Sequence, residues 1–238
     1  MKSLLTVAAI VCAVSIGGIA SSAPVEVEPS PLGTLRVVED PDGHTNLRSG
    51  PSLKDDVVGK VASGTVVAVV EIKGDWAELE YGPDKTRFIH TSRLRKLGKW
   101  KQTAAPAPVE GKPAVAKNGS FHAQVQSAPF VAADHKLKKD KEGGMTVDGH
   151  AVHGTDGEAP RKTLSLTVTI DGKALTIPAE ATRDLYEPNM ETLKLLTAPK
   201  PAETTVVVME NSDGAGAYCV AWSFTNGSYA GRVVFGQN

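Results

Sequence analysis

The chain has 238 residues, with 26 Lys and Arg against 27 Asp and Glu and a formal net charge of −1. That balance supplies no electrostatic attraction for nucleic acid, so no nucleic-acid partner is expected. Two cysteines in the whole chain exclude a disulfide-stapled scaffold, and the length suits one large domain or two small ones held by their own apolar cores.

The chain opens MKSLLTVAAIVCAVSIGGIASSAP. Lys2 supplies a positive start, residues 4–19 are apolar, and Ala20-Ser21-Ser22-Ala23 form a small-residue cleavage zone, the pattern of an export leader over residues 1–23. The apolar run falls short of the ~20 residues a membrane span needs, so no stable anchor is expected after cleavage. Cys12 follows Val11 rather than a small residue, which places it in the apolar part of the leader and not at a lipid attachment point. Cleavage leaves 25 basic and 27 acidic side chains, and Cys219 as the sole thiol, so no intramolecular disulfide can form.

From residue 33 to 98 the pattern is that of short strands. Residues 35–38, 46–48, 57–61, "TVVAVVEIK" from Thr65, "DWAELEY" from Asp75 and "TRFIH" from Thr86 are separated by turn signals at Asp40-Pro41-Asp42-Gly43, Ser63-Gly64, Lys73-Gly74 and Gly82-Pro83-Asp84. Helical periodicity is absent, and the spacing predicts a small β-barrel. In its second strand Leu47 enters the core while Asn46 and Arg48 face outward, Arg48 reaching for a carboxylate or a carbonyl. Trp76 is large enough to close one end of such a barrel, or to form a ligand shelf with Tyr81.

Residues 99–120 contain "KQTAAPAPVEGKPAVAKNGS". Prolines 106, 108 and 113 remove backbone donors, which predicts an extended, semi-stiff linker. A charged, turn-prone segment follows at 134–144. Residues 121–238 read as a second β-rich domain: "FHAQVQ" and "TLSLTVTI" alternate, Asp171-Gly172 and Asn226-Gly227 mark hairpins, and "ETTVVVME", "AYCVAWSF" and "SYAGRVVF" supply three more strands. Residues 179–196 have room for one or two helical turns around Pro188. The expected fold class is all-β: a small barrel, then a mainly antiparallel sandwich or open barrel with a minor helical insertion.

Asn46-Leu47-Arg48-Ser49-Gly50-Pro51-Ser52, Val58-Gly59-Lys60-Val61, Gly64-Thr65-Val66-Val67, Gly74-Asp75-Trp76-Ala77-Glu78-Leu79 and Phe88-Ile89-His90-Thr91-Ser92-Arg93-Leu94 together resemble the bacterial SH3 domain over residues 35–97. Where that family usually has glycine before its last strand, this chain has Arg87. The resemblance implies a non-enzymatic binding module, and the leader-like residues 1–23 make the expected protein an exported, periplasmic or extracellular one. The same resemblance implies contact with a cell-wall polymer such as peptidoglycan or with an envelope protein, and Arg48, Trp76 and Tyr81 are the candidate contact residues.

No cofactor is expected, and the remaining chemical sets are incomplete. His150 and His153 with Asp148, Asp156 and Glu158 are the nearest approach to a metal site, but the glycines beside each histidine and the absence of a helix read as a polar loop. Cys219 lies in mid-strand among small residues, on the face opposite Tyr218, Val220, Trp222 and Phe224, and no histidine follows it; that reads as packing rather than as a nucleophile. Residues 211–216, with Asp213, read as a hairpin turn. An envelope-acting hydrolase using Asp148, Asp156 or Asp213 as acid and base, or an assembly module pairing through an edge strand, are the alternative readings of the second domain.

Overall fold

The computed structural model describes residues 31–80, 86–97, 100–141, 143–199, 203–212 and 214–236, so the leader, Tyr81 and Asp213 lie outside the described residues. Strands β1 (Leu35–Val38), β2 (His44–Arg48), β3 (Val57–Ala62), β4 (Val66–Lys73), β5 (Trp76–Leu79), β6 (Arg87–His90) and β7 (Leu94–Lys96) form one antiparallel sheet in the order β3-β2-β6-β5-β4-β1-β7. Their inward residues, among them Val38, Leu47, Val67, Leu79 and Ile89, make a small core. The two faces of β2 fall as its alternation requires: Thr45 and Leu47 are buried, Asn46 is exposed and Arg48 half-buried.

The remaining strands are β8 (Lys101–Ala104), β9 (Ala114–Asn118), β10 (Phe121–Pro129), β11 (Leu137–Lys139), β12 (Met145–Val147), β13 (His150–Ala151), β14 (Lys162–Ile170), β15 (Lys173–Ala174), β16 (Lys194–Thr197), β17 (Thr204–Asn211), β18 (Tyr218–Thr225) and β19 (Ser228–Phe235). They build a four-stranded sheet, β15-β14-β10-β9, a five-stranded sheet, β19-β18-β17-β16-β8, and a small β11-β12-β13 sheet. Phe121, Val125 and Val168 of the first pack with Leu195, Val207 and Trp222 of the second, so the two larger sheets form a sandwich. The hairpins at 171–172 and 226–227 turn as expected, with φ of 50° and 75° at Asp171 and Gly172 and 50° and 72° at Asn226 and Gly227. The helical insertion is limited to 3₁₀ turns at Ala179–Ala181 and Met190–Thr192. No helix among the described residues is long and apolar enough to cross a membrane.

Two local expectations need correcting. The stretch expected as a linker carries two paired strands: β8 pairs with β16, Lys101 opposite Thr197, and β9 pairs with β10. The prolines that suggested a spacer fall between these strands, leaving 101–104 and 114–118 free to donate. The charged segment at 134–144 likewise contributes β11, its lysines still exposed.

The barrel is also packed directly on the sandwich. In β18 every residue from Tyr218 to Phe224 is buried, because each face of the strand meets a different core. Tyr218, Val220, Trp222 and Phe224 face the sandwich interior, whereas Cys219 and Ala221, with Val206, Val208 and Phe235, pack against Leu35, Val37, Val66, Ala68 and Trp100. Fully burying a valine or leucine side chain contributes about 1.5–3 kcal/mol, so this shared layer is a substantial fraction of the total stability. Polar contacts fix its rim. The Thr225 hydroxyl donates to the Gly64 carbonyl (3.3 Å), the Thr65 hydroxyl to the Ala230 carbonyl (3.4 Å), and the Gly236 amide to the Glu80 carboxylate (3.3 Å). Burial raises the Glu80 carboxyl above its ordinary value, partly offset by that amide. Gly64, at φ +86°, also has no room for a Cβ, which would press into Thr225.

Candidate functional site

The barrel carries an open groove of about 360 Å³ between the turn after β1, the outward face of β2, the start of β5 and the 3₁₀ turn after β6. The turn is built by Asp40, whose carboxylate accepts from the Asp42 amide (3.0 Å) and whose carbonyl accepts from the Gly43 amide (3.0 Å). Arg93, from the 3₁₀ turn, reaches the same carboxylate at 3.4 Å. That ion pair ties the two rims together while leaving the Arg93 guanidinium partly exposed.

On the floor, the rings of Trp76 and His90 stand nearly perpendicular, with centroids 5.3 Å apart. His90 Nδ1 accepts from the Ser92 amide (3.3 Å) and lies 2.8 Å from its hydroxyl, which leaves Nε2 as the donor of the neutral ring. His44, Asn46 and Asp42 complete the wall. The arrangement offers an indole, amide and imidazole groups and charges of both signs, the equipment for a ligand rich in amides and carboxylates.

Of the three residues named from sequence, Arg48 and Trp76 both line this groove, and Tyr81 lies outside the described residues. Trp76 is only 9 % exposed, so most of the ring is packed. Arg48 donates from Nη1 to the Asp55 carbonyl (2.7 Å) and the Leu53 carbonyl (3.1 Å), so it pins the 49–56 loop beside the groove. Asp40, Asp42, His44, Asn46, His90, Ser92 and Arg93 were not singled out from sequence. The alternation of β2, which turns His44 and Asn46 to the same side as Arg48, is the signal that identifies two of them.

Leu47→Asp places an unpaired carboxylate where Leu47 is fully buried and is expected to cost at least about 4 kcal/mol, unfolding the protein in a thermal melt. Arg48→Ala removes two hydrogen bonds from a half-buried site and is expected to cost about 1–2 kcal/mol while leaving a folded chain. The reverse order in the melts would mean that the faces of β2 are interchanged.

The other candidates separate. Asp148 accepts from Nδ1 of His135 (2.7 Å) and from the Lys136 amide (2.9 Å), and the His135 bond holds its carboxyl below the ordinary value. It is thereby an anchor of the small β11-β12-β13 sheet. His150 is exposed in β13, paired with Val147. His153 leaves that sheet and bridges to Leu185, its amide donating to the Asp184 carbonyl (2.8 Å). No group of three or more His, Cys, Asp or Glu able to hold a metal occurs among the described residues. Cys219 is buried in the layer under the barrel, and burial pushes its thiol up to about 11.

His153 sits with its Nε2 3.9 Å from Asp184 Oδ2, which also accepts from Arg232 (2.6 Å). Burial lowers the imidazole below its ordinary 6.5; Asp184 raises it and Arg232 lowers it by smaller amounts. The folded protein therefore binds this proton less readily than the unfolded chain, and the stability contributed by neutral His153 is present above pH 6.5 and lost as pH falls below it. Urea midpoints measured from pH 7.5 to 5 are expected to fall towards acid, and His153→Asn is expected to flatten that slope.

In comparison with known protein families, residues 43–95 match the family described as Bacterial SH3 domain. That span contains β2 to β6 and most of the groove. No curated protein and no solved structure matches the chain.

Proposed function

We propose that the bacterial SH3 domain at residues 43–95 serves an exported, non-enzymatic protein that binds a cell-envelope polymer, peptidoglycan, through the groove between Asp42 and Trp76. The observation that carries this reading is the composition of the groove: an indole, two imidazoles, an amide and charges of both signs on one open surface. Peptidoglycan presents N-acetyl groups and peptides with both amines and carboxylates, and each has a counterpart there. Domains of this family generally serve envelope binding, and the leader-like residues 1–23 support export. In this reading residues 33–98 are the recognition module and residues 121–238 its support.

Sedimentation with insoluble peptidoglycan tests the proposal. Wild-type protein is expected in the pellet, and the double variant N46A/R93A, which alters the outward wall of the groove, is expected to lose about tenfold in affinity with no change in fold. Wild-type protein recovered entirely in the supernatant would overturn the envelope-polymer reading. Undiminished pelleting of the double variant would overturn the assignment to this groove.

A further inference from the structure

At one end of the sandwich, segments distant in the chain meet around a second open groove of about 1000 Å³, which shares no residue with the groove on the barrel. Residues 154–162 and 187–191, with Ser212 and Gly216, form its core, and residues 108–112 with the end of β10 close its sides. The sequences around these residues, "GTDGEAP", "EPNME" and "SDGAG", carry no recognisable motif singly. Only the sandwich topology brings them together.

The walls are fixed by unusual backbone. Gly154 has a φ of +101°, and a Cβ there would press into the Tyr186 carbonyl oxygen. Glu187 holds a φ of +49° while its carboxylate accepts from the amides of Arg161 (2.5 Å) and Lys162 (3.1 Å). Ser212, at φ +58°, donates its hydroxyl to the Gly154 carbonyl (3.1 Å) and its amide to the Glu187 carbonyl (3.2 Å). A non-glycine residue in this region costs about 1–3 kcal/mol, and two of them beside one groove mark a shape that the surroundings enforce.

The charges in the groove are of both signs and do not neutralise one another. Glu110, Asp156, Glu158 and Glu191 line it together with Lys112, Arg161 and Lys162, and among the described residues none of these seven forms an ion pair, while a fifth carboxylate, Glu187, is held by the Arg161 and Lys162 amides. Opposite charges held apart in one concavity are available to a ligand that carries both. Pro129, Pro188 and Met190 supply apolar surface between them, and no aromatic ring is among the described lining residues. A bare glycan, whose apolar pyranose faces are best met by aromatic rings, is therefore poorly matched, whereas a peptide backbone with charged side chains is well matched. The volume lies at the top of the ~300–1000 Å³ range of small-ligand sites and has room for several residues.

We propose that this groove is a binding site for short zwitterionic peptides, independent of the groove on the barrel. Isothermal titration of the full chain with Ac-Ala-Lys-Ala-Glu-Ala-NH2 at low salt tests it, with an end-capped pentaalanine and chitotetraose as comparison probes. The charged peptide is expected to bind, and the other two to bind at least about tenfold more weakly. Asp156, Glu191, Arg161 and Lys162 are all exposed, so charge reversal leaves the core untouched. Both D156K/E191K and R161E/K162E are expected to weaken binding about tenfold, as is half-molar salt, while N46A/R93A leaves it unchanged. Absence of binding by the charged peptide, equal binding of the pentaalanine, preference for chitotetraose, or wild-type affinity in both reversal variants would each overturn the proposal.

Discussion

Trp222→Ala is expected to lower the stability of the protein by about 3–5 kcal/mol, measured as a shift of the urea midpoint. Trp222 is completely buried between the two sheets of the sandwich, where no smaller side chain fills the same space. Truncation removes its apolar contacts and leaves a cavity that a framework of paired strands closes only in part. A polar loss adds to this. The indole Nε1 donates to the Ala181 carbonyl at 2.7 Å, tying the 3₁₀ turn at Ala179–Ala181 to β18, and the carbonyl retains only a longer bond from Arg232 (3.3 Å) once the ring is gone. Trp222→Phe keeps most of the volume and is expected to cost less than half as much. Equal losses in the two variants would mean that the hydrogen bond outweighs the packing.

Ala221→Asp tests the shared layer beneath the barrel. Ala221 is fully buried and faces Val66, Ala68 and their neighbours, the opposite side from Trp222. An aspartate there is either ionised in an apolar layer or protonated with its oxygens unsatisfied, and it also overfills a site fitted to a methyl group. The expected cost exceeds about 4 kcal/mol, and the barrel and sandwich are expected to lose structure together. Calorimetry of the wild type is correspondingly expected to give a single transition. Two separate transitions, with the barrel melting at the same temperature in A221D, would mean that the contact is too weak to couple the two parts.

The alternation of "AYCVAWSF" divides β18 into the two faces observed, because period two is a property of every strand and needs no knowledge of its neighbours. What period two leaves open is what covers the second face. A run with large residues on one side and Cys219, Ala221 and Ser223 on the other reads equally well as half-exposed, and only the arrival of β4 makes it central. The strands β8 and β9 were hidden for a related reason. Ala, Pro and Lys dominate residues 101–120, so composition reads as spacer, while the pairing of Lys101 with Thr197 joins residues almost a hundred positions apart. The groove on the barrel was legible at Arg48 and Trp76 through a family resemblance. Its other walls, Asp40 with Arg93 and His90 with Trp76, depend on turns from opposite ends of the domain meeting, which no local pattern encodes.

The most direct test of the central claim, that the barrel groove recognises the envelope polymer, is a titration of the isotope-labelled protein with soluble peptidoglycan fragments followed by amide and indole chemical shifts. The largest changes are expected at Asp42, Asn46, His90 and the Trp76 indole, with the β11-β12-β13 sheet unaffected. Saturating fragments that leave those four signals in place, or that move signals elsewhere on the chain instead, would contradict it.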